Sequence, residues 1–306
     1  MRPALRLACA ASVLAFALAA AQLAGAQAAM AAPQAVRSVD SRPAARPAPP
    51  AGIVAAGGEL INARTGKWMW SRGLDIERPM ASITKVMTAM VVISAGDLNR
   101  KITVTEAAVA YAEDNDAGSA GLHVGDVLTA QQLLEGLLLP SGADAAYLLA
   151  NSYGPGWQAF VGKMNAMARS LGMTQTYFAN FDGLPWPTEY STYSTPRDLI
   201  IMGEAAMKIT DFRQIVAQRS YRIAATTLHH AYHWKNTNLL LRSYRGAIGI
   251  KTGFTLGAGY CLLFEAVRGS TELMGVVLNS TNTNARMRFI AASRLLNWGF
   301  AAAAAS

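Results

Sequence analysis

The chain has 306 residues, enough for one large domain or two small ones. Only 15% of it is Asp, Glu, Lys or Arg, against about 25% in most soluble domains, and 52% is hydrophobic. That balance excludes a disordered regulator, and the lack of any 18-residue apolar run beyond the N-terminus excludes a polytopic membrane protein. The net charge is +8, but five arginines and one aspartate precede residue 51, which leaves 22 basic and 18 acidic residues in the body. With no clustered basic stripe, a nucleic-acid partner is not expected.

The N-terminus reads as an address. Arg2 and Arg6 precede an apolar run from Leu7 to Leu23, and small-residue cleavage patterns follow at Ala24-Gly25-Ala26 and Ala29-Met30-Ala31. Residues 1–31 are therefore expected to be a signal peptide cut after 26 or 31, with export to the periplasm or cell envelope. Membrane contact is expected only if that segment stays uncleaved as an anchor. Residues 32–51, rich in Pro, Ala and Arg, lack the side chains to bury a core and read as an extended linker.

The folded domain is expected over 52–300, with a short tail at 301–306. Residues 58–63 and 68–70, around Arg64-Thr65-Gly66-Lys67, predict a strand hairpin. A helix is expected from Ser82 to Gly96, with Ile83, Val86, Met87, Met90 and Val91 on one apolar face. Another runs from Thr129 to Leu139, opened by a Thr129/Gln132 capping box and stopped by Pro140. Thr195, with Pro196 in the first position and Asp198 closing a second box, starts a further helix. Three strands follow, at 246–251, 259–267 and 273–278, and a last helix covers 285–296. Strands from both ends around a helical block imply one α+β unit with an antiparallel sheet and a mostly helical insert.

Ser82-Ile83-Thr84-Lys85 is the only Ser-x-x-Lys in the chain. A lysine three residues on can reach the serine oxygen and, with a lowered pKa, take its proton. The plain alternative is a helix-capping serine beside a surface lysine. Ser141-Gly142-Ala143 is a serine-bearing loop after Pro140, and Lys251-Thr252-Gly253 ends a strand-like run where a lysine is unusual. The order of the three is the signature set of penicillin-binding proteins and class A β-lactamases, with the middle motif partial.

On these motifs, and on Asp182-Gly183-Leu184-Pro185, Tyr193 to Leu199, Asn236 to Leu240 and Trp298-Gly299-Phe300, the chain resembles the low-molecular-mass penicillin-binding D-alanyl-D-alanine carboxypeptidases. The likeness spans about residues 55–300. It implies a β-lactamase/transpeptidase-like fold and removal of the terminal D-alanine of peptidoglycan stem peptides through an acyl-enzyme, with β-lactams as inhibitors and no cofactor. It further implies Ser82 as nucleophile, Lys85 as general base and Ser141 as proton relay. Lys251, Thr252, Gly253 and Phe254 would bind substrate, with the backbone N–H groups of Ser82 and Phe254 as oxyanion hole. An arginine, Arg288 or failing it Arg286, would hold the substrate carboxylate.

Two departures stand out: Ala143 replaces the motif's asparagine, and, with the sequence ending soon after Phe300, the C-terminal domain of longer members is not expected. Two other readings stay open, a class A-like β-lactamase, for which Glu189 is the available glutamate, and a weak peptidoglycan- or penicillin-binding module. His229, His230 and His233 lack a third ligand at metal spacing, so no metal site is expected.

Overall fold

The computed structural model describes Ala48 and residues 50–305. The expected signal peptide and nearly all of the expected linker lie outside the described residues. The chain enters the fold through buried Ile53 and Ala55 and forms β1 (Gly57–Asn62) and β2 (Lys67–Arg72). Between them Gly66, at φ +68°, adopts the left-handed backbone that the turn requires. The short strand β3 (Arg78–Pro79) leads into a 3-10 turn, Ala81–Thr84, and on into α1 (Lys85–Ala95). The helical block follows: β4 (Lys101–Thr103), α2 (Glu106–Asp114), β5 (Val127–Thr129), α3 (Ala130–Leu138), α4 (Ala143–Tyr153) and α5 (Trp157–Ser170). Next come β6 (Tyr193–Ser194), α6 (Pro196–Met207), α7 (Thr210–Ala217), the hairpin β7 (Ser220–Ile223) and β8 (Tyr232–Lys235), and the single turn α8 (Leu240–Ser243). The chain closes with β9 (Ala247–Thr255), β10 (Gly259–Arg268), β11 (Thr271–Leu278) and α9 (Met287–Ala304).

The five-stranded sheet has the order β2-β1-β11-β10-β9, antiparallel throughout. N- and C-terminal strands therefore meet at β1 and β11, where Gly57 faces Leu278 and Asn62 faces Leu273, as the α+β reading expects. Side chains alternate between two cores. Leu60, Leu262, Phe264 and Val277 pack under α9 with Phe289, Leu295 and Leu296. Ile61, Leu263, Met274 and Val276 join the larger core beneath the helical block.

Several local expectations are revised. The α-helix begins at Lys85 rather than Ser82, the preceding turn being 3-10. Its burial is not confined to one face: Lys85, Thr88, Ala89 and Val92 are enclosed as well, because α1 sits in the middle of the block, against α3, α4, α5 and α6. The Thr129/Gln132 box is formed in both directions, at 3.1 and 2.8 Å. Thr195 also caps its helix, accepting from Asp198 N, but Asp198 closes no second box. Its carboxylate accepts instead from Gln175 N and Thr176 Oγ1, tertiary donors that outcompete the cap. The last helix runs eight residues past Leu296 to Ala304, through most of the expected tail, with Phe300 and Ala302 buried. Alanine, the best helix former, makes that extension easy.

Candidate active site

The backbone delivers Ser82 under constraint. Ala81 holds φ +48°, a conformation that costs a non-glycine residue roughly 1 kcal/mol or more. Ser82 then sits in the 3-10 turn with Lys85 one turn on, and the turn makes no side-chain cap bond. The plain capping-serine alternative thus fails. Lys85 Nζ instead donates to Ser82 Oγ at 3.0 Å and to Asp182 O at 3.3 Å. Lys85 is fully enclosed, and burial pulls its pKa below the usual lysine range, against the opposing charges of Asp182 and Asp144. A hydroxyl bonded to an amine of lowered basicity can hand over its proton as the oxygen attacks.

The loop that meets Lys85 is shaped from within. Buried Asn180 donates to Leu184 O and Trp186 O, both at 2.8 Å, and accepts from Gly183 N at 2.7 Å. Gly183 has φ +82°, and a Cβ there would lie 2.0 Å from Ala81 O, so only glycine lets the loop cross the serine turn. Thr88 Oγ1 bonds Phe181 O from below. The Asp182 carboxylate accepts from Tyr111 OH and Leu184 N, each at 3.1 Å, and Trp186 Nε1 donates to Tyr111 OH at 2.9 Å. Burial raises the pKa of Asp182, with the Lys85 charge opposing. Tyr111 was not marked by the sequence, and Asp182 only within the Asp182-Gly183-Leu184-Pro185 likeness, because their contact spans 71 positions.

The edge strand β9 lies alongside. At Gly253 an added Cβ would stand 2.8 Å from Met80 O and 3.2 Å from Ser82 N, so glycine alone allows this approach. Lys251, also fully enclosed, donates to Thr252 O at 3.0 Å. Burial, then the charges of Lys85 and Arg288, push its pKa well down. The charge of Lys85 thus adds to burial in lowering Lys251, as its second cause. Thr252 Oγ1 meets Thr237 Oγ1 at 2.6 Å. Arg288 Nη1 donates to Gly253 O at 3.0 Å, its guanidinium lies 5.0 Å from the Tyr260 ring centre, and its buried Nε has no hydrogen-bond partner among the described residues. Arg286 is exposed. Phe254 stacks on Tyr260 with ring centres 4.2 Å apart.

Ser141 holds a left-handed backbone at φ +70° between Pro140 and α4, and no bond from its hydroxyl to Ser82 or Lys85 is formed among the described contacts. Ala143 is the first residue of α4, closed to solvent, with its N–H on Gly118 O at 2.7 Å. Asp144 makes no hydrogen bond to Ser82 or Lys85 among the described contacts. Its carboxylate collects Ser119 Oγ, Ala120 N and Leu122 N, clamping the loop above α4. Glu189 is likewise engaged, accepting from Thr255 Oγ1 at 2.7 Å and Gly257 N at 3.1 Å. Of the histidines, His230 bonds Asp126 at 2.9 Å and packs at a tilt against the His123 ring, centres 4.2 Å apart.

The sequence matches the D-alanyl-D-alanine carboxypeptidase family over residues 44–282. This chain belongs to that family. Its members are serine peptidases, and the present protein is a serine-type D-Ala-D-Ala carboxypeptidase by that membership. It is 43% identical over 261 residues to the D-alanyl-D-alanine carboxypeptidase of Streptomyces sp. K15, covering 81% of this chain and 88% of that one. It is 36% identical to carboxypeptidase DacB2 of Mycobacterium tuberculosis, over 78% and 79% of the two chains. The crystal structure of the Streptomyces K15 DD-transpeptidase superposes with a TM-score of 0.77 at 42% identity, covering 82% of this chain and 98% of that one. The fold is thus that of the DD-peptidases. Family members act on the cell wall, which implies an extracytoplasmic location. No helix among the described residues is long and apolar enough to cross a membrane.

Proposed function

We propose that the protein removes the terminal D-alanine of peptidoglycan stem peptides by acyl transfer to Ser82, and that penicillins acylate the same oxygen. The reading is carried by one observation, the 3.0 Å bond between Ser82 Oγ and the enclosed Lys85 Nζ. In this mechanism Lys85 takes the Ser82 proton as Oγ attacks the carbonyl carbon. The C–N bond to the terminal D-alanine breaks, that D-alanine leaves with a proton relayed through Ser141, and water then hydrolyses the ester. A Cβ added at Gly253 would stand 3.2 Å from Ser82 N, so β9 runs close beside the serine turn, and this reading takes the N–H groups of Ser82 and Phe254 as the oxyanion hole. The unpaired edge of β9 offers a ladder for an extended peptide. This reading assigns Thr252 and the unpartnered Nε of Arg288 as donors to the substrate's terminal carboxylate, an anion that would oppose the burial lowering the pKa of Lys251.

The β-lactamase reading loses support, because Glu189 is held by β9 and its turn rather than left free to orient a water. A second acceptor is favoured by one comparison: the Streptomyces K15 relative is named a DD-transpeptidase. An amine could replace water in the second step. Fluorescent penicillin tests the scheme: the wild type labels and releases slowly, whereas Ser82→Ala folds and stays dark. Stoichiometric labelling of Ser82→Ala would disprove it. Product analysis with D-Ala-D-Ala peptide, with and without glycine as acceptor, separates hydrolysis from transfer.

A further inference from the structure

Outside the serine site lies a cleft of ≈ 620 Å³ whose walls carry Trp157, Tyr177, Trp186, Tyr190, Ser191 and Tyr193. Its size falls within the range of small-ligand sites, about 300–1,000 Å³. Two of its rings stand in water, Tyr190 at 67% exposure and Tyr177 at 50%, an arrangement that a folding core does not need. The lining contains no Asp, Glu, Lys or Arg. It offers ring faces, phenolic hydroxyls and the Ser191 hydroxyl. A peptide terminus with a free charge would find no counter-ion there and would lose hydration without return. A pyranose ring suits it better, because its C–H face can lie on an aromatic ring while its hydroxyl and acetamide groups exchange hydrogen bonds at the edges.

The cleft is also tied to the serine. Trp186 donates to Tyr111, which donates to Asp182, whose carbonyl receives Lys85. Tyr193 pairs with Pro79, three residues before Ser82, and bridges to Tyr177 on its other side. One cross-strand step of roughly 5 Å and three chain steps of at most about 3.6 Å put the Tyr193 backbone within about 16 Å of Ser82. In a stem peptide the bond to be cut follows the fourth residue, so an extended chain places the sugar about 14 Å from it. That ceiling leaves the Tyr193 side of the cleft within reach of such a sugar.

We propose that this cleft is a subsite for the neutral saccharide to which the stem peptide is attached. The proposal rests on the peptidase reading above, and its test keeps the two apart. The first arm compares kcat/KM on a disaccharide-pentapeptide and on the same pentapeptide without sugar. The wild type prefers the sugar-bearing substrate by roughly three- to tenfold, as one or two aromatic contacts would give. Tyr190→Ala brings that ratio toward one while turnover of the free peptide and the melting temperature stay unchanged. Tyr177→Ala repeats the measurement at a second exposed ring. The second arm titrates the wild type with tetra-N-acetylchitotetraose, which contains no peptide, and follows tryptophan fluorescence. A saturable change, weakened by either tyrosine variant, supports the subsite even if no peptide is cleaved. Equal rates on the two substrates, or fluorescence that does not respond to the oligosaccharide, would overturn it and leave the peptidase reading standing. A cleft made for apolar peptide side chains gives this second pattern.

Discussion

Asp182→Asn isolates the electrostatics of Lys85. The substitution keeps shape but removes a buried negative charge whose backbone carbonyl already touches Lys85 Nζ at 3.3 Å. Burial lowers the pKa of Lys85 and the Asp182 charge resists that pull. Without the charge, Lys85 becomes still easier to hold neutral, so the acid limb of the rate profile moves to lower pH. A unit charge held at about 6 Å in an effective dielectric near 20 is worth roughly 2–3 kcal/mol. That amounts to a shift of about one to two pH units, since one unit is ~1.4 kcal/mol. The variant also gives up one of the bonds from Tyr111 OH and Leu184 N, a cost of about 1 kcal/mol in stability that leaves most of the fold's margin. Second-order acylation by fluorescent penicillin, measured from pH 5 to 9, reads the limb directly. A structural role alone would lower the rate at every pH by the same factor. An unmoved acid limb in a folded variant would refute the coupling.

Arg288→Ala should reduce kcat/KM on a D-Ala-D-Ala peptide by roughly ten- to a hundredfold, as the loss of a charge-assisted bond predicts, with exposed Arg286→Ala near wild type. The reverse order would move carboxylate capture to Arg286. Ala143→Asn places three more heavy atoms at a fully buried position, so a melting temperature several degrees lower is expected, overpacking costing about 1–3 kcal/mol. If the absent motif amide is what slows the enzyme, the variant would instead gain roughly tenfold in rate, and such a gain at unchanged melting temperature would show that the site has room for the amide. Glu135→Gln probes pH. Burial pushes Glu135 from 4.5 up to about 7, partly countered by Gln218, so the folded protein holds a proton there that the unfolded chain has released. Its stability contribution is present at low pH and lost as pH rises through 4.5 to 7. Relative to wild type, the variant's melting temperature should therefore climb between pH 5 and 8. The lysines with lowered pKa act in the opposite sense in both proteins, so the difference is the quantity to read, and a flat difference contradicts the assignment.

Legibility followed the range of the interaction. The Thr129/Gln132 box, the Gly66 hairpin and the apolar runs of β10 and β11 depend on neighbours within a few positions, and their patterns are visible in one dimension. Helices α2, α4 and α5 were not anticipated, because alanine-rich stretches such as Glu106 to Asp114 carry few large apolar residues to mark a face. The second capping box failed for the opposite reason: its pattern was present, but Gln175 and Thr176, over 20 residues away, claimed the carboxylate. Within the candidate site, Ser82 and Lys85 were readable because one helical turn brings them together. Gly253 against Ser82 N and Gly183 over Ala81 O join segments roughly 100 to 170 residues apart, and no local spacing encodes such a crossing.

The replacement of an asparagine by Ala143 sharpens the question of what orients Lys85. An ammonium offers three donors and a neutral amine two, and two directions are already taken, by Ser82 Oγ and Asp182 O. The carbonyl of Asp182 is aimed by a loop that Asn180 bonds at Leu184, Trp186 and Gly183 and that Gly183 alone allows to cross the serine turn. Asp144, one position beyond the alanine, spends its carboxylate on the Ser119 to Leu122 loop and reaches Lys85 only through its field. The orientation of the lysine therefore rests on a backbone acceptor rather than on a side-chain amide. A backbone acceptor cannot be removed by point mutation, but it can be moved. Asn180→Ala, which takes their side-chain partner from the Asp182 and Gly183 N–H groups and from the Trp186 carbonyl, should slow acylation far more than its distance from Ser82 suggests.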